Sequence, residues 1–173
     1  MKIIGHLEFA GKEINKQIKL ATELKVDELI LRYLNEETKI SDISAKDVKT
    51  INQLLKQNKK NIYAIDPLIE QFNYEDSETT DFVLKEYEKA VNAANLLKVN
   101  NIIFRLPIIK DIISEFELMK GFLDNIIEIA RRSNKTLLIR HENTTTSNIA
   151  YILKKYNNNK HLSVIFSPSD AIL

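Results

Sequence analysis

The stretch Phe122–Asn143 reads FLDNIIEIARRSNKTLLIRHEN. It falls into three parts. Ile126 and Ala130 continue a helical stripe begun by Met119 and Leu123, so the first part is helix. Arg131 and Arg132 close that helix where its macrodipole favours cations, and Ser-Asn-Lys makes a short turn. Thr136–Glu142 then forms a strand of apolar and β-branched residues that ends on ionisable groups. Helix, turn, buried strand and charged strand end is the unit from which α/β folds are built.

The same unit recurs on both sides. Further strands are expected at Ile3–Phe9, Leu29–Arg32, Ile62–Asp66, Ile102–Leu106 and Leu162–Ser167. Four more helices are expected between them. The first covers Glu13–Leu24, with Ile14, Ile18 and Ala21 inward. The second follows a capping box of Ser44 and Asp47 and carries Val48, Ile51 and Leu55. The third runs over Asp81–Leu97 with Tyr87, Ala90, Val91 and Ala94 inward, and the fifth presents Ile149, Ile152, Leu153 and Tyr156. The helix that precedes Thr136 is the fourth, and Ser114 with Glu117 makes a capping box at its start. Strands that read as unbroken apolar runs between helices imply a parallel sheet buried on both faces.

A doubly wound open sheet and a (β/α)8 barrel both satisfy this alternation. The strand ends separate them. His6 and Glu8, Arg32, Asp66, Arg105, and Arg140 with Glu142 follow five strands, and Ser167 and Asp170 follow the sixth. An open sheet concentrates its chemistry at one switch point, whereas a barrel gathers polar groups from many strand ends. The distribution favours an incomplete TIM-barrel-like α/β fold, one partial barrel domain over 1–173. Eight units typically need about 250 residues, so the first and sixth strands are expected to be open edges. A longer parent protein, pairing of the edges in a homodimer, or cover by loops would each resolve this.

Composition bounds the chemistry. In 173 residues there is no Cys, which excludes disulfides, thiolate metal sites and cysteine nucleophiles. Three glycines leave no GxGxxG or P-loop cradle. A net charge of +1 gives no general attraction to nucleic acid or acidic membranes. Neither a spanning segment nor a signal peptide is legible, so a cytoplasmic protein with no membrane or nucleic-acid partner is expected.

Phe122–Asn143, with Tyr87–Pro107 (YEKAVNAANLLKVNNIIFRLP) and Asp27–Arg32 (DELILR), resembles the xylose isomerase-like TIM barrels. That family comprises sugar and sugar-phosphate isomerases and epimerases, with apurinic endonucleases as distant relatives. The resemblance covers the first six of eight units. It implies a sugar or sugar phosphate as the small-molecule partner. It also implies a divalent metal (Mn, Mg or Zn) that polarises sugar oxygens while carboxylates move protons. Glu142 matches the fifth-strand metal ligand and is also the candidate base. The sixth-strand pattern D-P-G-H is replaced by Ser167-Pro168-Ser169-Asp170, which leaves Asp170 as the second candidate ligand. The endonuclease branch relies on a histidine-rich metal cluster, and this chain has only His6, His141 and His161.

On strand alternation, His6 and Glu8 share a face and form a candidate proton-transfer pair, and Arg140 shares a face with Glu142. Arg32, Arg105 and Arg140 are three of only five arginines, and each ends a strand. Arg offers a bidentate fork for phosphate or carboxylate, so these three are the candidate substrate-binding residues. Salt bridges to Glu8, Asp66 and Glu142 are the alternative for them. His161 reads as a solvated loop residue, and Pro67–Asp81 as a long acidic connection that serves either as a lid or as a solvated loop anchored by its two aromatics, Phe72 and Tyr74. Lys56–Lys60 (KQNKK) looks like a basic clamp, or else the end of the second helix set against its dipole. A sugar isomerase or epimerase-like protein is the leading expectation. A non-catalytic ligand- or protein-binding barrel is the alternative.

Overall fold

The computed structural model describes residues 3–141, 144–157 and 159–166. Six strands and five α-helices alternate. They are β1 (Ile4–Gly5), α1 (Ile14–Glu23), β2 (Glu28–Leu31), α2 (Ala45–Gln57), β3 (Asn61–Ile65), α3 (Ser77–Leu96), β4 (Asn101–Phe104), α4 (Ile112–Arg132), β5 (Thr136–Arg140), α5 (Thr146–Lys155) and β6 (Leu162–Ile165). The sheet order follows the chain, β1 to β6. Strand order never reverses, so there is no switch point of the doubly wound kind. The progression is that of a barrel. No helix of the described residues is long and apolar enough to cross a membrane.

By contacts the chain forms two compact units, 1–68 with 89–102, and 69–88 with 103–173. In the first, β1 pairs parallel with β2, and β2 with β3. Its core holds Leu29, Leu31, Ile40, Ile51, Ala64, Ile65 and Ile102, all fully buried. The second is built on the parallel pair β5–β6, with Phe104, Met119, Ile126, Ile139 and Ile152 inside. Phe72 meets Phe122 edge-on at 5.2 Å, and Ile108 N–H donates to the Phe72 carbonyl at 2.9 Å.

The expected apolar stripes of α1, α3 and α4 are buried, whereas Val48 of α2 and Leu153 and Tyr156 at α5 are only half-buried. Ile14, Ile18 and Ala21 of α1 are inside, as are Met119, Leu123, Ile126 and Ala130 of α4. At α2, Asp47 accepts from the Ser44 N–H at 2.8 Å, closing the expected capping box. All five helices end in one way. Lys25, Lys59, Lys98, Asn134 and Asn157 lie two residues past the helices with φ between 51° and 57°. After four of them the next N–H reaches back five residues, from Val26 to Ala21, Lys60 to Leu55, Val99 to Ala94 and Lys135 to Ala130. This is the Schellman closure, which satisfies terminal carbonyls and aims the chain into the next strand.

Several boundaries differ from expectation. The first strand stops at Gly5, not Phe9. Glu8–Ala10 is a 3-10 turn, because the Ala10 and Gly11 N–H groups bond the Leu7 and Glu8 carbonyls instead of a neighbouring strand. α4 starts at Ile112, before the expected Ser114 cap, because the Asp111 carboxylate accepts from Ile113 N–H. α3 starts at Ser77, since Asp76 accepts from Glu78 N–H, so the acidic connection is shorter than Pro67–Asp81. Its Phe72 is buried against Phe122, as the anchored-loop reading expects. His161 is no solvated loop residue. It is 5% exposed, with Nδ1 2.8 Å from the Lys135 carbonyl.

Candidate functional site

In the first unit three consecutive strands deliver charge to one place. The β2–β3 register sets Leu31 beside Ile65, so the next residues, Arg32 and Asp66, become neighbours. Arg32 Nε donates to Asp66 Oδ2 at 2.8 Å. Its Nη1 donates to Glu8 Oε2 at 2.9 Å. His6 Nε2 lies 3.6 Å from the same Glu8 oxygen. The 3-10 turn after β1 carries Glu8 here. His6 and Glu8 are therefore close without being strand neighbours on one face.

Burial is graded along this chain of groups. The Asp66 side chain is 1% exposed, Arg32 15%, Glu8 24% and His6 27%. Asp66 is held twice, because its Oδ1 also accepts from Leu68 N–H at 2.9 Å. That bond turns the chain through Pro67 and puts Leu68 at φ 56°, a conformation costly for a side chain with a Cβ. Two carboxylates face one guanidinium, so the cluster is net −1 with neutral His6 and neutral with His6 protonated. The salt bridges weighed as the alternative for Arg32 are formed with Glu8 and Asp66.

In the second unit, Arg105 follows β4 and is 7% exposed. Its backbone N–H donates to the Tyr87 hydroxyl at 3.2 Å, and the Tyr87 ring meets Phe104 edge-on at 5.6 Å. Arg140 ends β5 half-buried, and His141 Nε2 lies 2.9 Å from Thr146 Oγ1 at the start of α5. Glu142 and Asp170 lie outside the described residues. The sequence reading placed Tyr87 only as an apolar stripe residue. A phenol in a stripe otherwise made of Ala and Val was the available signal. Glu86, a carboxylate 5% exposed, was also missed.

The described residues do not fit a divalent metal. No three His, Asp or Glu side chains among them come together as a ligand set. Glu8 already faces Arg32, whose charge would oppose a cation.

No family model and no curated protein sequence matches the chain. Solved structures do. A 3-keto-D-glucoside 4-epimerase from E. coli superposes with a TM-score of 0.67 at 12% identity, over 95% of this chain and 67% of that one. A xylose isomerase-like TIM barrel protein from Mycobacterium smegmatis, solved in complex with magnesium, gives 0.66 at 11%, over 97% and 60%. A family 2 AP endonuclease from Brucella melitensis gives 0.68 at 15%, over 98% and 70%. Across eight such structures this chain spans 50% to 70% of the neighbour's length.

Proposed function

On a chain that has the fold of the xylose isomerase-like TIM barrels over six strands, we propose a protein that binds a sugar or sugar phosphate and carries isomerase or epimerase chemistry. The observation that supports this reading is the cluster His6–Glu8–Arg32–Asp66 at consecutive strand ends, where barrels of this kind hold their sites. His6 and Glu8 are its less buried end and the pair suited to moving a proton on a sugar carbon. Arg32 fixes Glu8, and Asp66 fixes Arg32. Arg105 and Arg140 are the proposed anchors for an anionic substituent. Glu142 and Asp170 are the proposed ligands if a divalent metal takes part, as magnesium binds the Mycobacterium smegmatis neighbour.

The second reading is a ligand-binding barrel without catalysis. It is favoured by one observation: Glu8, a member of the candidate proton-transfer pair, already accepts from Arg32. We also propose that the open edges pair in a homodimer. Ile3, Val164 and Phe166, on or beside the edge strands, are 67%, 41% and 71% exposed.

One calorimetric experiment tests the enzymatic reading. The metal-stripped chain and Glu142→Gln are titrated with Mn2+ and Zn2+, then with sugars and sugar phosphates. One-site metal binding lost in the variant, with sugar-phosphate binding lost in Arg105→Gln, is the expected result. Sugar binding without metal binding selects the non-catalytic reading. No binding of either kind overturns both. Sedimentation at rising concentration tests the homodimer, and a persistent monomer refutes it.

A further inference from the structure

The basic segment Lys56–Lys60 is not used by the strand-end cluster. It lies at the other end of the strands. There a cleft of about 540 Å³ opens between the end of α2, the start of β3 and the turn from α3 into β4. Leu55, Leu97 and Val99 give it a buried apolar floor, with Ile62 half-buried beside them. Lys56, Lys59, Lys60 and Lys98 surround that floor.

The charge balance there is positive. Lys60 is spent on Asp27, at 3.2 Å. Lys56, Lys59 and Lys98 pair with no acidic side chain among the described residues. The ends of α2 and α3 oppose an anion with roughly half a negative charge each. Three free ammonium groups outweigh them and leave about two positive charges. Lys59 and Lys98 also sit at φ 54° and 57°, where Asn or Gly would be easier to accommodate. The cleft volume falls in the range of small-molecule sites, roughly 300 to 1,000 Å³.

We propose that this cleft binds a small phosphate-bearing anion that also carries an apolar or flat moiety. The lysines take the phosphates as point charges, and the Leu55–Leu97–Val99 floor takes the moiety. The site is separate from the strand-end cluster and independent of the sugar reading.

The test is calorimetry with tripolyphosphate and with ATP on the full chain. It compares wild type with the triple variant Lys56→Gln, Lys59→Asn, Lys98→Asn. Asn suits the positive φ, so the variant keeps the turns, and an unchanged thermal midpoint verifies this. Lys25→Gln, at the equivalent backbone position outside the cleft, is the control. Expected are one-site binding of both probes in wild type and Lys25→Gln, a loss of at least about tenfold in the triple variant, and ATP tighter than tripolyphosphate. Absence of saturable binding, or binding unchanged in the triple variant, overturns the site. Equal affinity for the two probes overturns the role of the apolar floor.

Discussion

Arg32 and Asp66, 34 residues apart in sequence, meet through Nε and Oδ2 at 2.8 Å because β2 and β3 pair in a register that aligns Leu31 with Ile65. The carboxylate is 1% exposed and the guanidinium 15%. A pair this buried is costly to break from one side, because the remaining charge keeps its desolvation penalty without its partner. Arg32→Met is expected to lower stability by about 3 kcal/mol in urea unfolding. Arg32→Met with Asp66→Asn, which removes the second buried charge and keeps an acceptor for Leu68 N–H, is expected to recover part of that loss. If the double variant is as unstable as the single, the pair is not the unit of stability described.

Two glycines separate space from backbone entropy. A Cβ on Gly5 would lie 3.0 Å from Val26 Cγ1 and 3.1 Å from Leu7 Cγ, both parts of buried side chains. Gly121, inside α4, would meet nothing within 4 Å. Gly5→Ala is expected to cost about 1 to 2 kcal/mol through overpacking. Gly121→Ala is expected to stabilise by about 0.5 to 1 kcal/mol through helix propensity. Thermal unfolding midpoints moving in opposite directions check the pair.

The helix ends offer a stabilising change. Lys25 follows α1 at φ 57°, and Asn134 follows α4 at φ 51°. Glycine removes the Cβ contact that disfavours this conformation, and Asn is less penalised there than Lys. Lys25→Gly should therefore stabilise by up to about 1 kcal/mol, and Asn134→Gly by less. Equal effects at the two sites would contradict the stated cause.

Acid sensitivity has several contributors, since the Asp47, Asp76, Asp111 and Asp124 carboxyls are held below their ordinary values by hydrogen bonds, and Glu128 is the most strongly shifted of them. Hydrogen bonds first from Arg131 and then from Arg132 hold the Glu128 carboxyl down from the ordinary 4.5 to about 2. A depressed carboxylate stabilises the fold above its unfolded pKa, and that contribution fades as pH falls towards the folded one. The window is therefore between about 4.5 and about 2. Glu128→Gln is expected to flatten the fall of the melting temperature across that window by starting slightly lower at pH 7 and converging with the parent in acid, a small effect because the group is exposed. An identical acid profile in the variant would exclude Glu128 as a contributor.

The alternation of strand and helix was legible because each element repeats its own apolar period. The stripes Tyr87–Ala90–Val91–Ala94 and Met119–Leu123–Ile126–Ala130 are buried as read. The ends of β2, β3, β4 and β5 were legible because their apolar runs stop on the charged residues Arg32, Asp66, Arg105 and Arg140. What remained hidden is local competition and long-range pairing. Asp111 lies before Ser114, and in the fold it is Asp111 that caps α4. The run NNNKHL looks solvated, but the β5–β6 pairing draws His161 onto the Lys135 carbonyl.

The sequence by itself determined the order and kind of the elements and the charged residues that close the four inner strands. Those depend on nearest neighbours: side-chain period, capping groups and the shift from apolar to charged. The tertiary structure alone decided that strand order never reverses, that Arg32 lies between Glu8 and Asp66, and that Lys98 joins Lys56 and Lys59 around one cleft. Register and crossover bring residues tens of positions apart within bonding distance, and no local pattern encodes that separation.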